Sequence, residues 1–155
     1  SSDEKCAFAA KLGTLGTVNY SNENIVDKVL EVTEGRGVDI NFDQLGGPGL
    51  VQSLDMMAPL GLVISYNALA GDPDEDLFQG LRERRGKSIG FQCFSLHCYD
   101  DNPKAKADIF ASIIARFADG VLTPPIYDRL PLSNARQAHE LMDERKILGK
   151  LVLKP

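Results

Sequence analysis

Three side chains that could bind a metal ion lie close together in the sequence, namely Cys93, His97 and Cys98. Structural zinc needs four nitrogen or sulfur ligands, which usually come from two closely spaced pairs. The other histidine, His139, falls in a helical pattern, and the other cysteine, Cys6, stands alone. We therefore predict that this chain holds no metal. An odd number of cysteines also argues against a disulfide framework and fits a reducing cytoplasm.

The chain shows no group of residues that is typical of acid–base or nucleophilic catalysis. It has no His-Glu-x-x-His motif and no pair of carboxylates at a spacing that serves a glycosidase or protease. Asp43 could act as a general base, but an aspartate at the end of a predicted strand more often caps the turn that follows. We therefore predict no catalytic residue here and expect any chemistry to come from a bound cofactor.

The helix and strand patterns alternate along the whole chain, which favours an α/β fold. Helical spacing of apolar residues predicts helices after caps at Ser1 or Ser2, Ser21 and Ser133, and further helices over residues 50–58, 77–81 and 107–117. The predicted strands are residues 17–20, 38–42, 62–66, 88–94 and 150–153. Because helices separate the strands, we predict a doubly wound, mostly parallel sheet with right-handed crossovers.

Ligands of open parallel sheets bind outside the carboxyl ends of the strands. That rule selects four stretches of this chain, namely residues 20–21, 43–47, 66–71 and 91–94. Gly46 and Gly47 would let a ligand approach the backbone closely, although a tight turn explains them equally well. The net charge of −5 argues against nucleic acid as the ligand, and the apolar runs are too short to cross a membrane. We predict a cytoplasmic protein that acts on small molecules.

Five motifs follow one another along the chain, namely Ser2-Asp3-Glu4-Lys5, Val18-Asn19-Tyr20, Phe42-Asp43-Gln44-Leu45-Gly46-Gly47, Leu62-Val63-Ile64-Ser65-Tyr66 and Gly149-Lys150-Leu151-Val152-Leu153. Their order resembles that of the medium-chain dehydrogenase/reductase family. Within the family, the chain is most similar to the zinc-independent NADPH:quinone oxidoreductases, which include the zeta-crystallins. The resemblance implies that residues 1–155 form part of a Rossmann-like nucleotide-binding domain, together with the C-terminal helix and strand of the family. A glycine-rich loop and the first strands of that domain are absent from the 155 residues.

The resemblance also implies a set of NADPH-binding positions. Lys5, with Ser2 nearby, would reach the 2′-phosphate, Tyr20 would lie beside the adenosine, and Arg145 would close on the phosphate from the last helix. The positions that would approach the ribose and the nicotinamide are Gly47, Tyr66, Asn67, Ala68, Leu69, Phe91, Gln92 and Cys93. No residue of this set need act as an acid or a base.

These positions imply a portion of an oxidoreductase that transfers hydride from NADPH to a quinone or an enone. Two alternatives stay open on the sequence. One is an enoyl-thioester reductase of the same family, whose cofactor half would look alike. The other is a non-catalytic fragment that associates with a partner chain. The family resemblance also implies a homodimer, joined through the uncharged edge strand that runs from Ser88 to Phe94.

Overall fold

The computed structural model describes residues 2–155, which divide into two compact units. One unit ends at Leu96 and the other comprises His97–Pro155. A short 3₁₀ helix, Leu96–Tyr99, spans the division in sequence. No helix of the described residues is both long and apolar enough to cross a membrane.

The first unit is built on a three-stranded parallel sheet. Its strands are β1 (Val38–Asp43), β2 (Met57–Ser65) and β3 (Gly90–Cys93), and β2 lies between the other two. Its helices are α1 (Asp3–Lys11), α2 (Ile25–Val32), α3 (Gly49–Gln52) and α4 (Leu77–Glu83), with 3₁₀ turns at Ser53–Met56 and Arg85–Lys87. The predicted α/β class with parallel strands is therefore confirmed.

The second unit pairs two parallel strands with a long helix and a short one. Its elements are α5 (Pro103–Ala118), β4 (Ile126–Pro131), a 3₁₀ turn at Leu132–Asn134, α6 (Ala135–Asp143) and β5 (Lys150–Lys154). The long helix and the last strand follow the predicted pattern closely.

Of the two helix caps that the sequence predicts in the first unit, the structure confirms one. The Ser2 hydroxyl accepts a hydrogen bond from the Lys5 backbone N–H at 3.3 Å, which confirms Ser2 as the cap of α1, whereas Ser1 lies outside the described residues. The cap of α2 is Asn24, whose side chain accepts two backbone N–H bonds at 2.9 and 3.2 Å. The prediction of Ser21 was wrong, because Asn24 immediately precedes the first helical residue.

Helix α6 also begins differently from the prediction. The Ser133 hydroxyl bonds to the side chain of Asn134 at 3.3 Å and caps nothing. Asn134 itself occupies the cap position without a side-chain bond to the helix. The predicted serine cap was wrong because a 3₁₀ turn at Leu132–Asn134 leads directly into the helix.

Two predicted elements changed type or disappeared. Residues 17–19 have no strand assignment, because no neighbouring strand among residues 2–155 pairs with them. The predicted helix over residues 50–58 ends early, and Met57 and Ala58 start β2 instead. Both of these residues are fully buried. Their apolar side chains pack into the core from a strand, as they would also have done from a helix. β3 is shorter than the predicted strand 88–94.

The core of the first unit lies between the sheet and the short helices α3 and α4. Its centre consists of Leu50, Val51, Leu54, Met57 and Val63, with Leu77, Leu81 and Phe91 packed against it. Burying each such side chain stabilises the fold by about 1.5–3 kcal/mol. These residues pack the sheet against the helices.

An ion pair ties the two 3₁₀ turns of this unit together. Arg84 donates to both carboxylate oxygens of Asp55, at 2.7 and 2.8 Å, and the Lys87 ammonium donates to the backbone carbonyls of Asp55 and Met57. The hydrogen bonds from Arg84 hold the pKa of the Asp55 carboxyl below its usual value. This arrangement anchors the start of β2 to the turn that precedes β3.

Candidate functional site

The carboxyl ends of the three parallel strands finish side by side. Asp43 of β1 pairs in register with Ser65 of β2, and Ser65 pairs with Cys93 of β3. The N–H of Phe94 extends this row by donating to the Ser65 carbonyl at 2.8 Å. The row is the edge at which an open parallel sheet binds its ligands.

Two loops leave this edge and are joined to each other by their backbones. Loop 44–47 follows β1, and loop 66–71 follows β2. Four backbone hydrogen bonds connect the end of β1 and its loop to the second loop: Tyr66 to Asp43 at 3.0 Å, Leu69 to Gln44 at 3.3 Å, Ala70 to Leu45 at 2.7 Å and Gly47 to Gly71 at 2.8 Å. The loops therefore form one hydrogen-bonded platform beyond the strand ends.

Two glycines make this close approach of the loops possible. Gly46 and Gly47 have φ angles of +61° and +63°, in the left-handed region that favours glycine. A Cβ atom on Gly46 would lie 2.7 Å from the carbonyl oxygen of Gly71, and one on Gly47 would lie 2.8 Å from the Cβ of Ala70. Both the backbone conformation and the space at these positions exclude a side chain.

Asp43 stabilises the platform by accepting hydrogen bonds from the turn that follows β1 and from the end of β2. Its carboxylate accepts hydrogen bonds from the backbone N–H groups of Gly46 at 3.0 Å and Leu45 at 3.4 Å, and from the Ser65 hydroxyl at 3.3 Å. The interpretation of Asp43 as the cap of the turn is confirmed. Its oxygens accept from donors of the first loop and from the last residue of β2.

The predicted ribose and nicotinamide positions of the second loop face solvent. The Tyr66 side chain is 46% exposed, and its hydroxyl donates to the Gln44 side chain at 3.3 Å. The Asn67 side chain accepts from the backbone N–H of Ala68 at 2.9 Å, which shapes the loop from within. Leu69 is exposed. This face of the platform is open to a ligand.

Two adjoining clefts run beside the first loop. One, of about 300 Å³, is lined by residues of β1 and its loop, including Phe42, Gln44 and Gly46. The other, of about 250 Å³, is lined by Tyr20, Asn24 and Gln52. Ile25, Gly49 and Ser53 contribute to both clefts. Tyr20 is thus connected to the sheet edge by a continuous lining.

Lys5 belongs to a different part of the first unit. It lies in the first turn of α1 and lines a cleft of about 250 Å³ together with Cys6, Ala9 and residues of the segment 14–18. No ion pair of its ammonium is found within residues 2–155. Ser2 is next to it in the structure, since the Ser2 hydroxyl accepts the Lys5 backbone N–H. A cationic side chain in the first turn of a helix can bind a phosphate through charge-assisted hydrogen bonds.

The remaining predicted positions lie on β3 and in the second unit. Phe91 is partly buried against the core, while Gln92 and Cys93 are exposed, and Cys93 is a free thiol. Arg145 follows α6 with a φ angle of +55°, in a turn where its N–H donates to the Met142 carbonyl at 3.0 Å. A side chain in this conformation costs about 1–2 kcal/mol, because glycine is the residue that adopts it freely.

The structure therefore brings together Gly47, the stretch from Tyr66 to Leu69, and Cys93 at one sheet edge, with Tyr20 along the adjoining clefts. Lys5 lines a separate cleft, Ser2 caps the helix that carries Lys5, and Arg145 belongs to the other unit. Gln44 was missing from the predicted set, although it lies within the stretch 43–47 that the sheet rule had selected. Asn19 was also missing from the predicted set, although it lies in the motif Val18-Asn19-Tyr20.

Residues 12–153 match the zinc-binding dehydrogenase family. The chain is 33% identical over 158 residues to a quinone oxidoreductase of Pseudomonas aeruginosa, covering 100% of this chain and 47% of that protein. It is 32% identical over 160 residues to a 2-haloacrylate reductase of a Burkholderia species, covering 100% and 46%. It also superposes on an Escherichia coli quinone oxidoreductase complexed with NADPH, with a TM-score of 0.82, 26% identity, and coverage of 99% and 47%. The chain thus spans about half the length of these relatives.

The residues described here do not fit a zinc ion, despite the name of the matching family. Among residues 2–155, no three histidine, cysteine, aspartate or glutamate side chains are placed so that they could hold a metal. His97, one member of the short cluster in the sequence, contacts Asp100 at 2.8 Å through its Nδ1 atom. No step of a reaction is therefore assigned to a metal in this chain.

Proposed function

Since the chain belongs to the zinc-binding dehydrogenase family of medium-chain dehydrogenases/reductases, we propose that it is the cofactor-binding portion of an NADPH-dependent reductase of quinones or enones. The observation that carries this proposal is the platform at the sheet edge, where Gly46 and Gly47 admit no side chain. The relatives named above, a quinone oxidoreductase and a 2-haloacrylate reductase, support the substrate class. Both names describe reduction of an electrophilic conjugated system.

NADPH supplies the hydride in such a reaction, and the protein orients it. In this chain, the exposed face of Tyr66, Asn67 and Ala68 would hold the ribose and nicotinamide end of the cofactor. The backbone at Gly47 would allow that end to lie close to the platform, and Cys93 would border it from β3. The four backbone bonds between the loops keep this surface in one conformation before the cofactor arrives.

The other end of the cofactor would be bound by a cationic side chain. Lys5 would make charge-assisted hydrogen bonds to the 2′-phosphate, with the Ser2 hydroxyl as a further donor. The role of Arg145, which belongs to the second unit, stays a prediction from the family resemblance. The experiment that tests the whole proposal follows NADPH oxidation by the whole protein in the presence of a simple quinone. Absence of turnover with both NADPH and NADH would favour a non-catalytic module instead.

Replacing Lys5 with alanine is expected to weaken the binding of NADPH but not that of NADH. Loss of one charge-assisted hydrogen bond should raise the KM for NADPH about 10- to 100-fold and leave the KM for NADH nearly unchanged. The matched control is Lys11→Ala, a lysine in the last turn of the same helix. Steady-state kinetics of the whole protein with both cofactors measures the effect. Equal losses for NADPH and NADH would refute the role of Lys5.

We also propose that the whole protein is a cytoplasmic homodimer joined through β3. Within the described residues β3 pairs only with β2, so its outer edge has unpaired N–H and C=O groups. A twofold interface would bring Gly90 of both subunits into the contact, so that Gly90→Lys places two charges there. We expect this variant to be a monomer by light scattering. A Cβ on Gly90 would lie 3.1 Å from Cδ1 of Leu62, so Gly90→Ala is the control for crowding alone. A monomeric wild type, or a dimeric Gly90→Lys variant, would contradict this interface.

A further inference from the structure

Asn19 is a buried polar residue that joins three parts of the first unit. Only 7% of it is exposed. Its side-chain Nδ2 donates to Asp3 Oδ1 at 2.7 Å, and its Oδ1 accepts from the backbone N–H of Ser21 at 3.3 Å. Its own backbone N–H donates to Glu23 Oε2 at 2.7 Å. The amide is therefore held in one orientation by partners on both of its ends.

The hydrogen bond from Asn19 holds the carboxylate of Asp3, which lies two residues before Lys5 in helix α1. Asp3 is the first residue of that helix and Lys5 is the third. Lys5 lines the cleft formed with residues 14–18, and Asn19 is the residue that directly follows this segment. A buried amide that donates to a carboxylate resists separation, because either group would then lack its partner. The Oδ1 atom of Asp3 is thus kept against Asn19.

We propose that Asn19 is a positioning residue that sets the preference for NADPH over NADH by holding the Asp3 carboxylate. This inference rests on the proposed function and on Lys5 as the ligand of the 2′-phosphate. Acidic side chains near this point of a dinucleotide fold accept a hydrogen bond from the 2′-hydroxyl of NADH. The same negative charge repels the 2′-phosphate of NADPH.

The orientation of Asp3 decides which of these effects operates. In the structure, Oδ1 is occupied by Asn19, and the side chain cannot turn toward a ribose without breaking a 2.7 Å bond. Without Asn19, the carboxylate would be free to rotate, to accept from a ribose hydroxyl and to compete with a phosphate for Lys5. Asn19 would therefore favour NADPH without contacting either cofactor.

The first test is Asn19→Ala in the whole protein. We expect the ratio of kcat/KM for NADPH to kcat/KM for NADH to fall about tenfold, which is the size of one charge-assisted hydrogen bond. The affinity for 2′,5′-ADP relative to 5′-AMP, measured by calorimetry, should fall in parallel. If the role of Asn19 were purely structural, its loss would lower kcat/KM for both cofactors alike and leave these two ratios unchanged.

The second test removes the charge instead of its partner. In the wild-type background Asp3→Asn should change the ratio little, because Asn19 already holds the carboxylate. In the Asn19→Ala background Asp3→Asn should restore the preference to at least the wild-type ratio. Glu4→Gln is the matched control, because Glu4 is the other acidic residue in the first turn of α1. It should change the ratio by less than about twofold.

Two results would overturn the inference. One is a wild-type ratio in a folded Asn19→Ala variant, and the other is a restoration by Glu4→Gln in the Asn19→Ala background that equals the restoration by Asp3→Asn. If Asn19→Ala fails to fold, Asn19→Ser takes its place, and a wild-type ratio in that variant rejects the inference. A wild-type protein that oxidises neither NADPH nor NADH would instead reject the proposed function, so the two failures are distinguishable.

Discussion

Gly37→Ala is expected to destabilise the first unit by about 3 kcal/mol or more, whereas Gly35→Ala should cost only about 1 kcal/mol. Both glycines have φ angles in the left-handed region, at +83° and +81°. The conformational cost of a Cβ is therefore the same at the two positions. What differs is the space around them.

A Cβ at Gly37 would lie 2.5 Å from the carbonyl oxygen of Met56 and 2.8 Å from the carbonyl carbon of Met57. These are backbone atoms at the start of β2, so relieving the clash would displace a strand whose first residues are fully buried. A Cβ at Gly35 would meet no atom within 4 Å.

Urea unfolding followed by circular dichroism measures the difference between these two variants. It should appear as a lower midpoint for Gly37→Ala, with little change in the slope. Equal losses of stability in the two variants would mean that the start of β2 moves to accommodate the added methyl group without a further loss of stability.

The 155-residue chain by itself is expected to bind NADPH about a thousandfold more weakly than the whole protein. The pyrophosphate of a dinucleotide is normally held by backbone N–H groups of a glycine-rich loop at the start of a helix. No Gly-x-Gly-x-x-Gly sequence occurs in these 155 residues. Loss of two or three charge-assisted hydrogen bonds, each of about 1.5–3 kcal/mol, accounts for a factor of this size.

The starts of α1 and α2 do not replace that loop for the pyrophosphate. The first turn of α1 carries Asp3 and Glu4 beside Lys5, and the first turn of α2 carries Asp27, so acidic side chains oppose the binding of a pyrophosphate at both. Calorimetric titration of the chain with NADPH measures the affinity, with the whole protein as the control. A low-micromolar dissociation constant for the chain would contradict the prediction. Equally weak binding by the whole protein would count against NADPH as its cofactor.

The residue pattern by itself predicted several of the helices and strands, and it selected the strand ends that we propose bind a ligand. Alternating apolar residues predicted β1, and helical spacing predicted the second helix and the long helix α5, because both patterns follow from one buried face. The stretches 43–47 and 66–71 were selected by the same reasoning. These segments depend mainly on local periodicity, so a single sequence sufficed to find them.

Local signals could not decide features that depend on a distant partner. Residues 17–19 have strand-forming side chains, but a strand needs a neighbour, and none pairs with them in the described chain. Met57 and Ala58 fit a helix as well as a strand, and it was the pairing of Met57 with Val38 that made them part of β2. Cap positions such as Asn24 depended in the same way on where the helix actually started.

The geometry of the candidate site was decided only by the tertiary structure. The sequence showed Asp43, Ser65 and Cys93 at separate strand ends, but their alignment in one row comes from the register of the sheet. The four backbone bonds between the two loops, and the bond from Asn19 to Asp3, join residues that are at least 16 positions apart. Such contacts form when the core brings distant segments together, and no local periodicity encodes which donor will meet which acceptor.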